Sequence, residues 1–122
     1  KQALSVPVIG NGDVSDAMTF KARIEESGAD GIMIGRGALG RPWLFGEIIR
    51  GETADAADTA VRHIDYMVEY FSDEYATKAF RKHVAYYLRG RADSRSLKAA
   101  LQSATCAEEM KSLLKEGLKG RG

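Results

Sequence analysis

Two short apolar runs, each stopped by glycine and a polar turn, limit what this chain can fold into. The first is Val6-Pro7-Val8-Ile9-Gly10-Asn11-Gly12-Asp13 and the second is Gly31-Ile32-Met33-Ile34-Gly35-Arg36-Gly37. Between them Ala17, Phe20 and Ile24 recur at helical spacing. Ser15 is placed to cap that helix, Asp16 lies in the field of its N-terminal dipole, and Ser27-Gly28 ends it with a left-handed residue. Strand, helix and strand form a β-α-β unit whose two loops fall at one carboxyl edge of a parallel sheet. Ligands of parallel α/β folds bind at that edge. Two glycine turns side by side there offer several backbone N–H groups to one anion. A phosphate is the expected ligand, with Arg36 free to point at it.

The second strand, Gly31 to Ile34, is apolar throughout, as a strand covered on both faces should be. At 122 residues the chain is too short for a closed eight-unit barrel, which takes about 250. An isolated β-α-β unit leaves sheet faces and edges uncovered. The expectation is a C-terminal fragment of a larger protein, beginning at Lys1 just ahead of a strand and able to self-associate through uncovered strands. In such barrels the phosphate site is often completed by a short extra helix after the last loops, and Gly37-Ala38-Leu39-Gly40 is the candidate. Pro42 suits a first helical position, Trp43, Leu44, Phe45, Ile48 and Ile49 give an apolar side, and Gly51 closes the helix.

Glu52 to Asp58 is a small acidic linker, and everything beyond it has helical periodicity. Val61, Ile64, Met67, Val68 and Phe71 form one apolar stripe, and Leu97, Ala100, Leu101 and Ala104 form another. Thr105 to Glu108 has the capping-box pattern, followed by Met110, Leu113, Leu114 and Leu118. The predicted architecture is an α/β remnant of a TIM barrel (β-α-β-α) in residues 1–51, then an all-α helical bundle in residues 55–122. The chain is mostly α overall.

Charge is unevenly spread. Residues 1–75 carry seven Lys/Arg against thirteen Asp/Glu, a balance of −6, whereas residues 76–122 carry eleven against four, a balance of +7. Projected as a helix from Thr77 to Arg89, the chain places Lys78, Arg81, Lys82 and Arg89 in an arc of about 100°. Phe80, Val84, Tyr87 and Leu88 fall opposite, with His83 and Tyr86 at the border. The cationic strip is about 15 Å long and carries no acid, which suits nucleic-acid phosphates better than a solvated face of mixed sign. Arg91 and Arg95 continue it.

Other chemistry is excluded by composition. No apolar run is long enough to cross a membrane. The single cysteine, Cys106, rules out an internal disulfide, fits a reducing cytoplasm and shares the stripe of Met110 and Leu113 as a packing residue. His63 and His83 lack a metal-ligand partner at useful spacing, and no Ser-His-Asp or Cys-x-x-Cys pattern occurs.

Pro7 to Asp13, Gly28 to Ala38 and Gly40-Arg41-Pro42-Trp43-Leu44-Phe45 resemble the end of the barrel in bacterial tRNA-dihydrouridine synthases. Phe80-Arg81-Lys82-His83, with Tyr86-Tyr87-Leu88 and Gly90, is similar to the signature of that family's C-terminal helical domain. The resemblance implies a barrel that binds FMN, uses NADPH to reduce it and passes hydride to a uridine in tRNA, with a cysteine as general acid. It implies that Asn11, Gly12, Asp13, Gly35 and Arg36 match the FMN phosphate-binding motifs. It further implies that the helical domain holds tRNA through Lys78, Arg81, Lys82, Arg89, Arg91 and Arg95. The catalytic cysteine belongs to earlier strands, so no catalytic residue is assigned here and the fragment alone is expected to be inactive, with no metal. Two other readings stay open: the end of another FMN-dependent barrel dehydrogenase, and a non-enzymatic helical nucleic-acid-binding module.

Overall fold

The structure is a computed structural model that describes residues 1–119. The chain divides into two compact units, Lys1–Thr53 and Ala54–Gly122. The first holds a two-stranded parallel sheet with helices, and the described residues of the second hold helices and no strand.

In the first unit β1 (Ile9–Asn11) pairs in parallel with β2 (Gly31–Met33), Ile9 opposite Gly31 and Asn11 opposite Met33. The second strand ends one residue before the Ile34 that the sequence suggests. Asp30 ties the strand entries together: its N–H donates to the Val8 carbonyl and its carboxylate accepts from the Val8 N–H. The apolar character of the strands fits two covered faces, yet Ile9 is 64% and Met33 50% exposed.

The crossover helix α1 (Ala17–Ser27) is capped by Asp16 rather than by Ser15. The Asp16 carboxylate accepts from the Thr19 N–H at 2.7 Å and the Thr19 hydroxyl accepts from the Asp16 N–H at 3.1 Å. That reciprocal box satisfies two orphan donors, and it forms because Thr19 stands three residues after Asp16. Bonding to Thr19 holds the Asp16 carboxyl below the usual carboxylate range. Gly28 supplies the left-handed exit, φ 63°. A short 3-10 turn (Arg36–Ala38) follows β2, and α2 (Leu44–Arg50) begins later than the proline suggested. Pro42 and Trp43 lie in the turn ahead of it, so Pro42 is not the first helical residue. Leu44 is fully buried while Phe45 and Ile49 face outward.

The second unit contains α3 (Ala56–Tyr70), α4 (Asp73–Tyr87), α5 (Ser94–Ser103) and α6 (Ala107–Leu118). Helix α3 packs most extensively on α6, and α4 touches the other three. Phe80, Ile64, Val84, Leu101, Met110, Leu114 and Leu118 are sealed from solvent. Two expectations are corrected here. The inward face of α3 is Ala57, Ala60 and Ile64, while Val68 and Phe71 are exposed at 36% and 53%. Counting large apolar residues missed it because small alanines let a neighbouring helix approach closely. Nor does α6 use a Thr105–Glu108 box. Glu109 accepts from the Thr105 N–H and hydroxyl, and the Ala107 N–H is capped across the unit by the Asp73 carboxylate at 3.1 Å.

Candidate functional site

The two loops singled out from the sequence meet at the carboxyl edge of the parallel pair. Arg36, after β2, donates from Nη2 to the Asp13 carboxylate, after β1, at 2.8 Å. Gly37 packs so closely on the same loop that a Cβ there would lie 1.9 Å from the Val14 carbonyl oxygen. No other residue type fits without moving backbone. Val14 is buried beneath this contact. Arg41 adds a third tie, donating to the Ser15 carbonyl at 2.9 Å and to Glu47 of α2 at 2.7 Å.

Asn11, Gly12, Asp13, Gly35 and Arg36 are all exposed, so the edge presents backbone and a guanidinium to solvent. Arg23 on α1 lines an open depression with Gly10, Asn11 and Gly12, held by Glu26 at 2.9 Å. This donor set fits a phosphate in one respect and constrains it in another. A guanidinium has five N–H donors, so Arg36 can keep Asp13 and still offer donors to an anion. The Asp13 carboxylate itself repels phosphate, which leaves only its backbone N–H to contribute. The tie between Asp13 and Arg36, the bridging role of Arg41 and the proximity of Arg23 were not foreseen. Glu47, six residues after Arg41, was the available signal for one of them.

The cationic face of the second unit is narrower than the projection suggested. Helix α4 spans Asp73–Tyr87, starting earlier because Ser72 caps it and stopping two residues before Arg89. Lys78 donates to Glu74 at 2.6 Å, so the face does carry an acid, one turn away. Arg81 is half-buried and donates to the Ala104 carbonyl at 2.9 Å, and its Nε is buried without a hydrogen-bond partner among the described residues. Gln102 in turn donates to the Arg81 carbonyl. Arg81 therefore clamps α4 to the end of α5. Lys82, Arg89 and Arg95 are exposed and Arg91 is half-buried. Arg91 and Arg95 line one open depression with Asp93, Ser94 and Ser96.

Where α3 meets α4, His63 and His83 stand edge to face with ring centroids 4.6 Å apart, and His63 Nδ1 lies 3.2 Å from the Tyr87 hydroxyl. Burial, together with the neighbouring His83 for His63 and Lys82 for His83, pushes both imidazoles below their ordinary range. Burial pushes the Tyr87 phenol up to about 12. All three rings also pack against Phe80. Among the described residues no cluster of His, Cys, Asp or Glu could hold a metal ion, and no helix is long and apolar enough to cross a membrane. Cys106 is the half-buried N-cap residue of α6.

The family profile described as Dihydrouridine synthase (Dus) matches residues 1–120, and the chain belongs to that family. The probable tRNA-dihydrouridine synthase of Mycobacterium leprae (strain TN) is 36% identical over 124 aligned residues, covering 93% of this chain and 32% of the relative. The probable tRNA-dihydrouridine synthase of Rickettsia typhi is 32% identical, with 83% of this chain and 34% of the relative covered. The tRNA-dihydrouridine synthase B of Proteus vulgaris is 33% identical, with 89% and 37% covered. The chain thus spans about a third of the length of the curated relatives it matches.

Proposed function

We propose that this chain is the C-terminal part of a flavin-dependent tRNA-dihydrouridine synthase, a cytoplasmic oxidoreductase that acts on uridine in tRNA. The observation that carries the reading is the joining of two glycine loops at one sheet edge through Arg36, Asp13, Gly37 and Val14. Residues 1–51 then form the end of an FMN-binding TIM barrel, and residues 55–122 a helical tRNA-binding domain. When bound, FMN reduced by NADPH supplies the hydride that reduces the base. The chain's own residues do simpler work. Backbone N–H groups of Asn11, Gly12, Asp13 and Gly35 hold the FMN phosphate, and Arg36 adds a charge-assisted bond. Asp13 fixes where Arg36 sits. Lys82, Arg89, Arg91 and Arg95 neutralise phosphates of the tRNA backbone. Lys78 and Arg81 contribute less than the sequence suggested, one paired with Glu74 and the other engaged by Ala104. The exposed Ile9 and Met33 support self-association of the isolated chain through its strands.

The test uses the full-length protein that contains this chain. Arg36→Ala is expected to lower the FMN retained per chain while leaving tRNA affinity in place. Lys82→Ala with Arg95→Ala is expected to do the reverse. Full FMN retention by the first variant, together with unchanged tRNA binding by the second, would overturn the reading.

A further inference from the structure

We propose that Tyr86 and Arg89 form a stacking seat for one unpaired nucleobase of the bound RNA, a role that rests on the tRNA-binding reading above. The Arg89 guanidinium carbon lies over the Tyr86 ring, 5.2 Å from its centroid. Backbone geometry puts it there: α4 ends at Tyr87, and the Arg89 N–H turns back to the Tyr86 carbonyl at 3.3 Å. Gly90, at φ 74°, then leads the chain away. The guanidinium carbon sits over one side of the ring, and Arg89 as a whole is exposed.

This arrangement differs from that of a phosphate-binding lysine. A guanidinium held against an aromatic ring is weakly hydrated and less free than a solvated one, so the pair can take a second planar π-system at little further entropic cost. Nucleobases have that planar face, and every base has one, so the seat tolerates sequence but demands a base free of its own stack. Charge for the flanking phosphates comes from Lys82, one turn before Tyr86 on α4 and exposed. A duplex buries its base faces and cannot occupy the seat. The unit therefore distinguishes RNA with an extruded or loop nucleotide from a continuous helix, which suits a reaction on a base that must leave its stack.

The test measures fluorescence anisotropy of two labelled 12-nucleotide RNAs with the 122-residue chain. One probe is oligouridylate and the other is abasic at every ribose, so the phosphates match and the bases are absent. Arg89→Lys keeps the charge and removes the plane. It is expected to weaken oligouridylate binding about tenfold, to leave the abasic probe unchanged and to leave the salt dependence unchanged. Tyr86→Leu, which keeps apolar packing at this half-buried position, is expected to behave likewise, with helicity checked by circular dichroism. Should that variant fail to fold, Arg89→Lys alone decides, because its side chain is exposed. Equal binding of oligouridylate by Arg89→Lys and the unaltered chain, or equal loss on both probes, would overturn the seat while leaving the cationic surface standing. Failure of the unaltered chain to bind either probe would overturn both.

Discussion

Arg36 and Asp13, twenty-three residues apart in sequence, meet at 2.8 Å and join the loops that leave the two parallel strands. Both side chains are 84% exposed, so the pair adds only about 0–1 kcal/mol to stability. Its value is positional, because it holds a guanidinium at the glycine-lined edge. Arg36→Ala should leave the melting temperature nearly unchanged yet cost the full-length protein about 1.5–3 kcal/mol in FMN affinity. Equilibrium dialysis against FMN, beside a thermal melt, checks both halves.

Gly37→Ala makes the opposite trade. Its new methyl would need the space of the Val14 carbonyl, so the loops must part. A destabilisation of the first unit on the order of 1–3 kcal/mol is expected. Hydrogen exchange at Val14 and its neighbours should quicken several-fold, and unchanged exchange would show that the contact bears no strain.

Arg81 and Lys82 are adjacent but should fail in different ways. Arg81→Ala removes the bond to the Ala104 carbonyl and is expected to cost about 1–2 kcal/mol of stability. Lys82→Ala should leave stability within about 0.5 kcal/mol and weaken tRNA binding instead. Urea denaturation and filter binding on both variants separate the roles.

The paired histidines make the second unit sensitive to acid. Both folded-state pKa values lie below the ordinary 6.5, so the unfolded chain binds more protons than the folded one. Stability is therefore complete above about pH 6.5 and falls as pH drops through the range between the unfolded and folded values. The urea midpoint should be lower at pH 5.5 than at pH 7.5, and His63→Gln should shrink that difference. A midpoint that did not move between the two would contradict the lowered proton affinity of the pair.

Much of this architecture was legible in the sequence, and the misses have physical causes. Glycine after an apolar run marked both loops, and at Gly37 the reason is close approach, since a Cβ there would meet the Val14 carbonyl oxygen. Gly28 and Gly51 marked helix ends for a different reason, a positive φ that glycine adopts without strain. The cap at Asp16 was missed by one residue because Asp16 was assigned to the dipole field alone, without its reciprocal partner Thr19. The cap of α6 was illegible in principle, since its acceptor, Asp73, comes from thirty-four residues earlier. Arg81 shows the limit of a helical projection: it gives a side chain's direction but not what waits there, and here it is the Ala104 carbonyl.

Binding of unmodified tRNA by the 122-residue chain at two salt concentrations tests the functional reading most directly. The predicted result is an affinity that falls steeply with salt, as expected when several phosphates are neutralised. Lys82→Ala with Arg95→Ala should weaken binding to different tRNAs alike and lessen the slope of log affinity against log salt by about two units. An affinity and slope that the double substitution leaves untouched would contradict it, and the basic surface of α4 and α5 would then be a solvated face.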